Sequence, residues 1–313
     1  MIKMDAVAHK FDANETLFMQ GQMESIEAKL YEFKKKELRY RMFVPVSNRD
    51  HPGAESITYR MYDMVGMARV ISNYADDLPR ADVFGKEFTQ AVKGLGSSFG
   101  YSTQEIRTAA MNNTPLDAMK AAASRRSIHE KESAICWNGD PASGLKGFLD
   151  NENVPLLATP TGSGGYTWLL KTPDEIIKDV RLMVTQIRTQ SKAVHAGDTL
   201  LLPIAQYDIL ANTPRSTLSD MTILEFLTKP GNSFGLTTIS WLIDELDNAF
   251  TGGTEDAAVM YENSPEVLEQ RIPLEMITHP VQEKGLEMKI PVESRHGGVV
   301  IRYPLAIVFM TGI

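Results

Sequence analysis

Apolar side chains recur at mostly three- and four-residue spacing over residues 14–33, where Leu17, Ile26, Leu30 and Phe33 lie among Glu15, Glu24 and Glu27. That rhythm predicts an amphipathic helix, weakened in its middle by Gly21. Residues 38–46 read as strand-like up to Pro45, and the polar run Ser47-Asn48-Arg49-Asp50-His51-Pro52-Gly53 predicts a loop. The period then becomes two over residues 57–63. Ile57, Tyr59 and Met61 share one face, while Thr58, Arg60 and Tyr62 share the other. A second extended run, residues 67–73, follows Gly66 and predicts a long hairpin with the first. Both faces of that hairpin are only half apolar, and a two-stranded ribbon without a core is marginal in water. It needs a partner surface.

The run Asp76-Asp77-Leu78-Pro79-Arg80 breaks the pattern. Residues 84–101 contain an extended stretch, 88–92, and then loosen at Gly94, Gly96 and Gly100. Ser102 and Glu105 form a capping box for a helix over 103–111. Thr114 and Pro115 start a second helix that runs to residue 137, dense in strong helix formers and stopped by Asn138-Gly139-Asp140-Pro141. Residues 144–149 open the second half, and 155–166 are a Pro/Gly/Thr loop. Thr172 with Glu175 caps a helix over 173–192. Residues 198–203 predict a buried strand, 204–210 a short helix or turn, 219–228 a helix and 238–246 an extended apolar segment. From residue 272 the pattern is all strand, 273–278, 286–292 and 299–310, with turns at Gly285 and Gly297-Gly298. The second half is therefore a mixed α/β region followed by closing strands.

Of the 313 residues, 43% are hydrophobic and 23% charged, enough for a sizeable core in one or two domains. A net charge of -8 argues against a protein whose main work is gripping nucleic acid, because phosphate neutralisation takes clustered cations. Lys34-Lys35-Lys36 with Arg39 and Arg41 reads as a solvated face. Cys136 is the single cysteine, which excludes an intrachain disulfide and a thiolate-only zinc site within one chain and suits a reducing compartment. The first nineteen residues carry Asp5, Asp12 and Glu15 and lack the apolar core of a signal peptide. No segment has the length of a membrane span. A soluble chain made inside the cell is expected.

Three local motifs fail on chemistry. His129-Glu130-Lys131-Glu132-Ser133 begins like a zinc-binding H-E-x-x-H, but Ser133 stands where the second imidazole must be. Ser143-Gly144-Leu145-Lys146 spells S-x-x-K, yet two glycines and Pro141 oppose the helical turn that would set lysine against serine. Gly162-Ser163-Gly164-Gly165 lacks the preceding strand and following Lys-Ser/Thr helix of a phosphate cradle. The six histidines are scattered, and the sixteen methionines suit adaptable packing in cores or contacts between subunits. No catalytic residue, cofactor or metal ligand is assigned.

Five runs carry a resemblance. They are Gly66-Met67-Ala68-Arg69-Val70-Ile71-Ser72-Asn73-Tyr74-Ala75-Asp76-Asp77-Leu78-Pro79-Arg80, Arg125-Arg126-Ser127-Ile128-His129-Glu130-Lys131-Glu132, and Gly139-Asp140 with Gly144-Leu145-Lys146-Gly147. Thr278-His279-Pro280-Val281-Gln282 and Gly297-Gly298-Val299-Val300-Ile301-Arg302-Tyr303-Pro304-Leu305-Ala306 complete the set. Together with the element order, they resemble the tailed-bacteriophage major capsid protein family, whose Hong Kong phage-type fold is shared with encapsulins. The likeness is weakest before Leu38 and between Leu210 and Pro265.

The resemblance implies an α+β capsid fold. Residues 1–38 would be an N-terminal arm, and 52–82 an extended loop lying across a neighbouring subunit. Residues 39–51, 83–143 and 266–313 would make a peripheral domain with its spine helix inside 103–137. Residues 144–265 would make an axial domain whose loops meet around five- and six-fold axes. It also implies a homo-oligomer of pentamers and hexamers that closes into an icosahedral shell around double-stranded DNA, contacted non-specifically. The chain would reside in the virion after assembly in the host cytoplasm, with no enzymatic activity, cofactor or membrane partner. Tyr59, Arg60, Met61, Tyr62 and Arg69 are the expected subunit-interface residues. A separate scaffolding protein, or none, is expected, with portal and decoration proteins as further partners. The loop 52–82 holds no lysine, so no lysine–asparagine crosslink is expected from it, Lys86 lying just outside. The alternative is an encapsulin-type compartment holding a cargo enzyme. An enzyme assembled from scattered His, Asp and Glu would need a pocket of convergent ionisable groups.

Overall fold

The computed structural model describes residues 34–70, 80–112, 116–216, 219–247 and 255–313. Residues 34–37 are exposed and without regular structure, and residues 38–313 form a second unit. The helix expected over 14–33 lies outside the described residues. In the second unit a helical turn α1 (Tyr40–Phe43) precedes a short strand β1 (Val46–Ser47). Two long strands follow, β2 (Ser56–Val65) and β3 (Asp82–Ala91), then β4 (Lys93–Ser102) and the helices α2 (Thr103–Asn112) and α3 (Leu116–Asn138). Next come β5 (Leu156–Ala158), α4 (Pro173–Gln190), β6 (Thr199–Pro203), α5 (Ile204–Asn212), β7 (Pro214–Ser216), β8 (Ser219–Thr222) and α6 (Ile223–Thr228). Strands β9 (Thr238–Leu242), β10 (Ala257–Tyr261), β11 (Leu268–Arg271), β12 (Leu274–Thr278), β13 (Gln282–Lys284), β14 (Glu287–His296), β15 (Val299–Ile301) and β16 (Ile307–Thr311) complete the chain.

A five-stranded mixed sheet in the order β5-β16-β10-β6-β9 divides the core. Its inner strands β6, β10 and β16 are buried at every position, which is why they read as unbroken apolar runs rather than alternating ones. Alternate side chains go to different cores. Leu201, Val259, Tyr261, Ile307 and Phe309 pack with Phe43, Trp137 and Phe148 on one face. Leu200, Met260, Val308 and Met310 pack with Ile176, Val180, Met183 and Ile187 of α4 on the other. Phe148 is the hub of the first core, its ring 5.1 Å from Tyr261, 6.0 Å from Trp137 and 6.2 Å from Phe309. It is delivered there by a close backbone approach. A Cβ on Gly147 would stand 2.3 Å from Gly139 N, so neither Gly139 (φ +70°) nor Gly147 tolerates a side chain.

A second sheet has the order β12-β14-β13, and β4 pairs with the whole length of β14, from Glu287–Ser102 to His296–Lys93. Helix α3 lies against this pair. Lys120 donates to Gly100 O at 2.8 Å, and the Ser124 and Ser127 hydroxyls each meet Ser97 Oγ at 3.1 Å. The third sheet is β1-β11-β15.

Several expectations are corrected. Residues 40–43 are a helical turn rather than strand, because Tyr40 and Phe43, three apart, both bury beside α3. The hairpin strand β2 pairs with β3, not with 67–73; residues 67–70 are not in a strand and 71–79 lie outside the described residues. The two-stranded element therefore returns to Ala91, beyond the expected limit at residue 82. The glycine-rich stretch at 94–100 is continuous strand, since ten consecutive pairings with β14 outweigh the low strand propensity of glycine. Residues 219–222 are strand, and the helix begins only after the Thr222–Glu225 capping box. The strand expected over 299–310 is two strands. A tight turn at Pro304–Ala306 redirects the chain, so β15 joins β11 while β16 enters the five-stranded sheet.

Candidate assembly interface

Ten residue pairs join β2 and β3, from Ser56–Ala91 to Val65–Asp82, a ribbon roughly 33 Å long at strand rise. Directly paired residues share a face. One face carries Ile57–Gln90, Tyr59–Phe88, Met61–Lys86 and Asp63–Phe84; the other carries Thr58–Thr89, Arg60–Glu87, Tyr62–Gly85 and Met64–Val83. Near the root the first face is built into the body. Ile57 and Val92 are buried, and the half-buried Tyr59 ring stacks on Phe88 at 5.2 Å. Lys86 holds its ammonium 4.9 Å from the Phe88 centroid.

Beyond Met61 the ribbon stands clear of its own body. Every described residue from Tyr62 to Glu87 is exposed, and the exposed set is rich in large apolar groups: Tyr62, Met64, Met67, Val70, Val83 and Phe84. Met67 is 79% exposed and Val70 97%. Tyr62, Met64 and Val83 lie on the Arg60 face and Phe84 on the Tyr59 face, so the outer half offers apolar groups on both sides. Exposed apolar groups gathered on one projecting element are the kind of surface that marks contact sites. Nearer the root the Arg60 face is polar and self-paired, with Arg60 Nε donating to Glu87 at 2.7 Å and the Thr58 and Thr89 hydroxyls 2.9 Å apart. The Tyr62 ring covers Gly85, where a Cβ would come within 3.0 Å of it.

The root sits over a cleft of roughly 500 Å³ bordered by Tyr59, Phe88, Lys146, Arg302 and Leu305. Beneath it lies an ion cluster. Glu269, buried, accepts from Arg271 Nη2 at 2.6 Å and from Arg302, while Arg271 Nη1 reaches Asp50 at 3.1 Å. Burial raises the Tyr59 phenol above its ordinary pKa, against the opposing pull of Arg302 and Arg271. The root is thus packed and charged, and the outer half exposed and rich in apolar groups.

The expected interface residues divide accordingly. Tyr59 and Met61 are half-buried on the inner face; Arg60 and Tyr62 are exposed on the outer face, and Arg69 is exposed past the end of β2. Sequence reasoning missed Val83, Phe84, Lys86 and Glu87, although residues 82–91 match β2 in length and place Phe84 and Phe88 on one side. Lys86 is inside the hairpin, opposite Met61, so the premise of a lysine-free loop does not hold. The set-aside motifs have other partners. His129 Nδ1 lies 3.2 Å from Glu132, and Ser143 Oγ donates to Asp140 at 2.6 Å rather than meeting Lys146. The glycine loop at 162–165 wraps the carboxylate of Glu175, which accepts from the Ser163 and Thr172 backbone N–H groups. These bonds hold its pKa down to about 2. Among the described residues no group of three or more His, Cys, Asp and Glu is placed to hold a metal, and no helix is long and apolar enough to cross a membrane.

Comparison with known proteins bears on this arrangement. The family model described as Major capsid protein matches residues 66–313, beginning just beyond β2 and taking in all of β3. Curated protein sequences return no match. Among solved structures, the capsid of Myoviridae phage XM1 is similar at 16% identity with a TM-score of 0.78, covering 98% of this chain and 100% of that one. The structure of Mycobacterium phage Ogopogo is similar at 14% identity and a TM-score of 0.60, over 94% of this chain and 98% of that one. A virus-like particle from Pyrococcus furiosus has 16% identity and a TM-score of 0.55, over 86% and 90%. The fold is that of capsid subunits. With most of its length matched by the family model, the chain belongs to the major capsid protein family.

Proposed function

We propose that this chain is the subunit from which an icosahedral shell around a double-stranded DNA genome is built, through pentamers and hexamers, and that it has a structural rather than catalytic role. The observation that carries this reading is the outer half of the β2–β3 ribbon. It exposes Tyr62, Met64 and Val83 on one face and Phe84 on the other, all outside the chain's own core. Buried against an adjacent copy, each such side chain would contribute about 1.5–3 kcal/mol, and repetition around symmetry axes would sum modest contacts into a closed shell. In this reading residues 1–38 are an arm and the ribbon is the extended loop. Residues 144–265 supply the axial domain, and the remaining residues the peripheral one around α3. The net charge of -8 suits a wall that lets packaged DNA slide, with contacts to DNA non-specific. Assembly would take place in the host cytoplasm, with portal and decoration proteins joining the particle.

The test is negative-stain microscopy and sedimentation of the purified full-length chain. Uniform hollow shells are expected, and a monodisperse monomer at high concentration under all assembly conditions would overturn the reading. Particles isolated from producing cells should hold nuclease-protected DNA; particles filled with a co-purifying enzyme and no DNA would instead mark a compartment.

A further inference from the structure

The tight turn between β14 and β15 is locked by one imidazole. His296 is wholly buried and accepts the Gly298 N–H on Nδ1 at 2.9 Å. Its Nε2 lies 2.6 Å from the side-chain amide of Gln270. A neutral imidazole carries one proton, and with Nδ1 accepting, that proton is on Nε2. Gln270 must therefore turn its amide oxygen toward Nε2, which also gives a partner to an oxygen otherwise buried without one. Both ring nitrogens are then committed, one as acceptor and one as donor.

The locked turn is the seat of the ribbon. A Cβ on Gly297 would stand 3.0 Å from Ile57 Cδ1 and 3.6 Å from Val92 Cγ2, and one on Gly298 2.6 Å from Gln90 Nε2. Ile57 lies at the root of β2, and Gln90 and Val92 at the root of β3. The turn is bonded to the body as well, Gly297 N donating to Arg271 O at 2.8 Å and Arg271 N to Gly298 O at 3.0 Å. One residue thus fixes the loop on which both arms of the ribbon rest.

We propose that His296 is a proton-operated latch at the ribbon root: neutral, it holds the Gly297-Gly298 turn against Ile57, Gln90 and Val92, and protonated, it frees the turn and lets the ribbon pivot. The chemistry is a single proton taken from solvent. On Nδ1 it faces the Gly298 N–H donor to donor, so that hydrogen bond cannot survive. Charged groups surround the ring from each packed element. Glu132 of α3, itself bonded to Tyr40, Arg41 and His129, and Glu275 of β12 favour the imidazolium. Arg41 of α1 opposes it, and Lys93 is the cross-strand partner on β4. Burial outweighs them all and holds the imidazole down to about 4. Because the folded value lies below the ordinary 6.5, the latch contributes fully above that pH and progressively less as pH falls toward 4.

The latch belongs to the single subunit and stands or falls whether or not shells form. Hydrogen exchange of the full-length protein, read by mass spectrometry and corrected for intrinsic rates, tests it in steps from pH 7 to pH 4. Amides at the ribbon root, residues 57–60 and 88–92, should lose about tenfold more protection than those of β6 and β10. His296→Gln should abolish that excess. An excess absent from the wild type, or of equal size in His296→Gln, overturns the proposal. Should the variant fail to fold, NMR titration of His296 in the wild-type chain decides: its midpoint must coincide with the loss of root protection, and a midpoint elsewhere overturns the latch.

Discussion

Gly298 adopts φ +73°, and a Cβ there would also stand 2.7 Å from Lys146 O; Gly144 has nearly the same dihedral, +70°, with nothing within 4 Å. Substituting alanine at the two positions separates backbone strain from collision. Gly144→Ala should cost about 1 kcal/mol in urea denaturation, and Gly298→Ala roughly twice that or more. Equal costs would remove the steric account of the turn. A second residue-scale case is Lys171, whose ammonium donates to Asp179 at 2.6 Å with both side chains buried and Trp168 Nε1 also bonding the carboxylate at 3.1 Å. Lys171→Met strands that carboxylate and should cost about 3–5 kcal/mol, whereas Lys171→Met with Asp179→Leu should recover most of the loss. A double variant no more stable than the single one would show that the pair contributes more than the relief of a lone buried charge. What was legible at this scale was local. The Thr172–Glu175 capping box is read within four residues and is present in the fold. The Lys171–Asp179 pair spans the helix start, and the His296–Gln270 contact joins residues twenty-six apart, so neither leaves a mark in spacing.

At the scale of elements, helices were legible and strand partners were not. Helix α3 was read within a residue or two of its observed ends because its propensities, cap and Gly139 stop act along the chain. The strand β2 was read correctly with its two faces, but its mate was placed too early, since pairing register is fixed by contacts across the ribbon rather than by either strand alone. The Arg60–Glu87 pair allows the ribbon's stability to be separated from its contacts with other copies. Both side chains are well exposed, so Arg60→Glu should destabilise the isolated subunit by about 1 kcal/mol or less. Particle yield by sedimentation should fall far more. Combining Arg60→Glu with Glu87→Arg restores the opposite-charge pair and should restore the melt, while the inverted surface keeps assembly impaired. Yield that simply tracks the melting temperature through all three proteins would deny the outer face a role in contacts.

For the whole molecule, the order of elements carried more information than any one of them. A projecting ribbon, a long helix, a mixed region and closing strands could be ordered from the sequence. The merging of distant segments into one sheet could not. Strand β16 enters between β5 and β10, neighbours separated from it by about 150 and 50 residues in the chain, because its alternating side chains fill both cores at once. That architecture makes the body independent of the ribbon's outer half, which adds nothing to either core. The register supplies a clean way to remove it. Tyr62 and Gly85 are directly paired, so an Asn-Gly dipeptide in place of residues 63–84 would close the ribbon with a two-residue turn whose twist suits the strands. The shortened chain should melt at nearly the wild-type temperature, since every described residue of the deleted segment is exposed. It should form no shells, because the apolar groups offered to an adjacent copy are gone. Shells of normal size and yield from this variant would mean that the projecting surface is not what joins one subunit to the next.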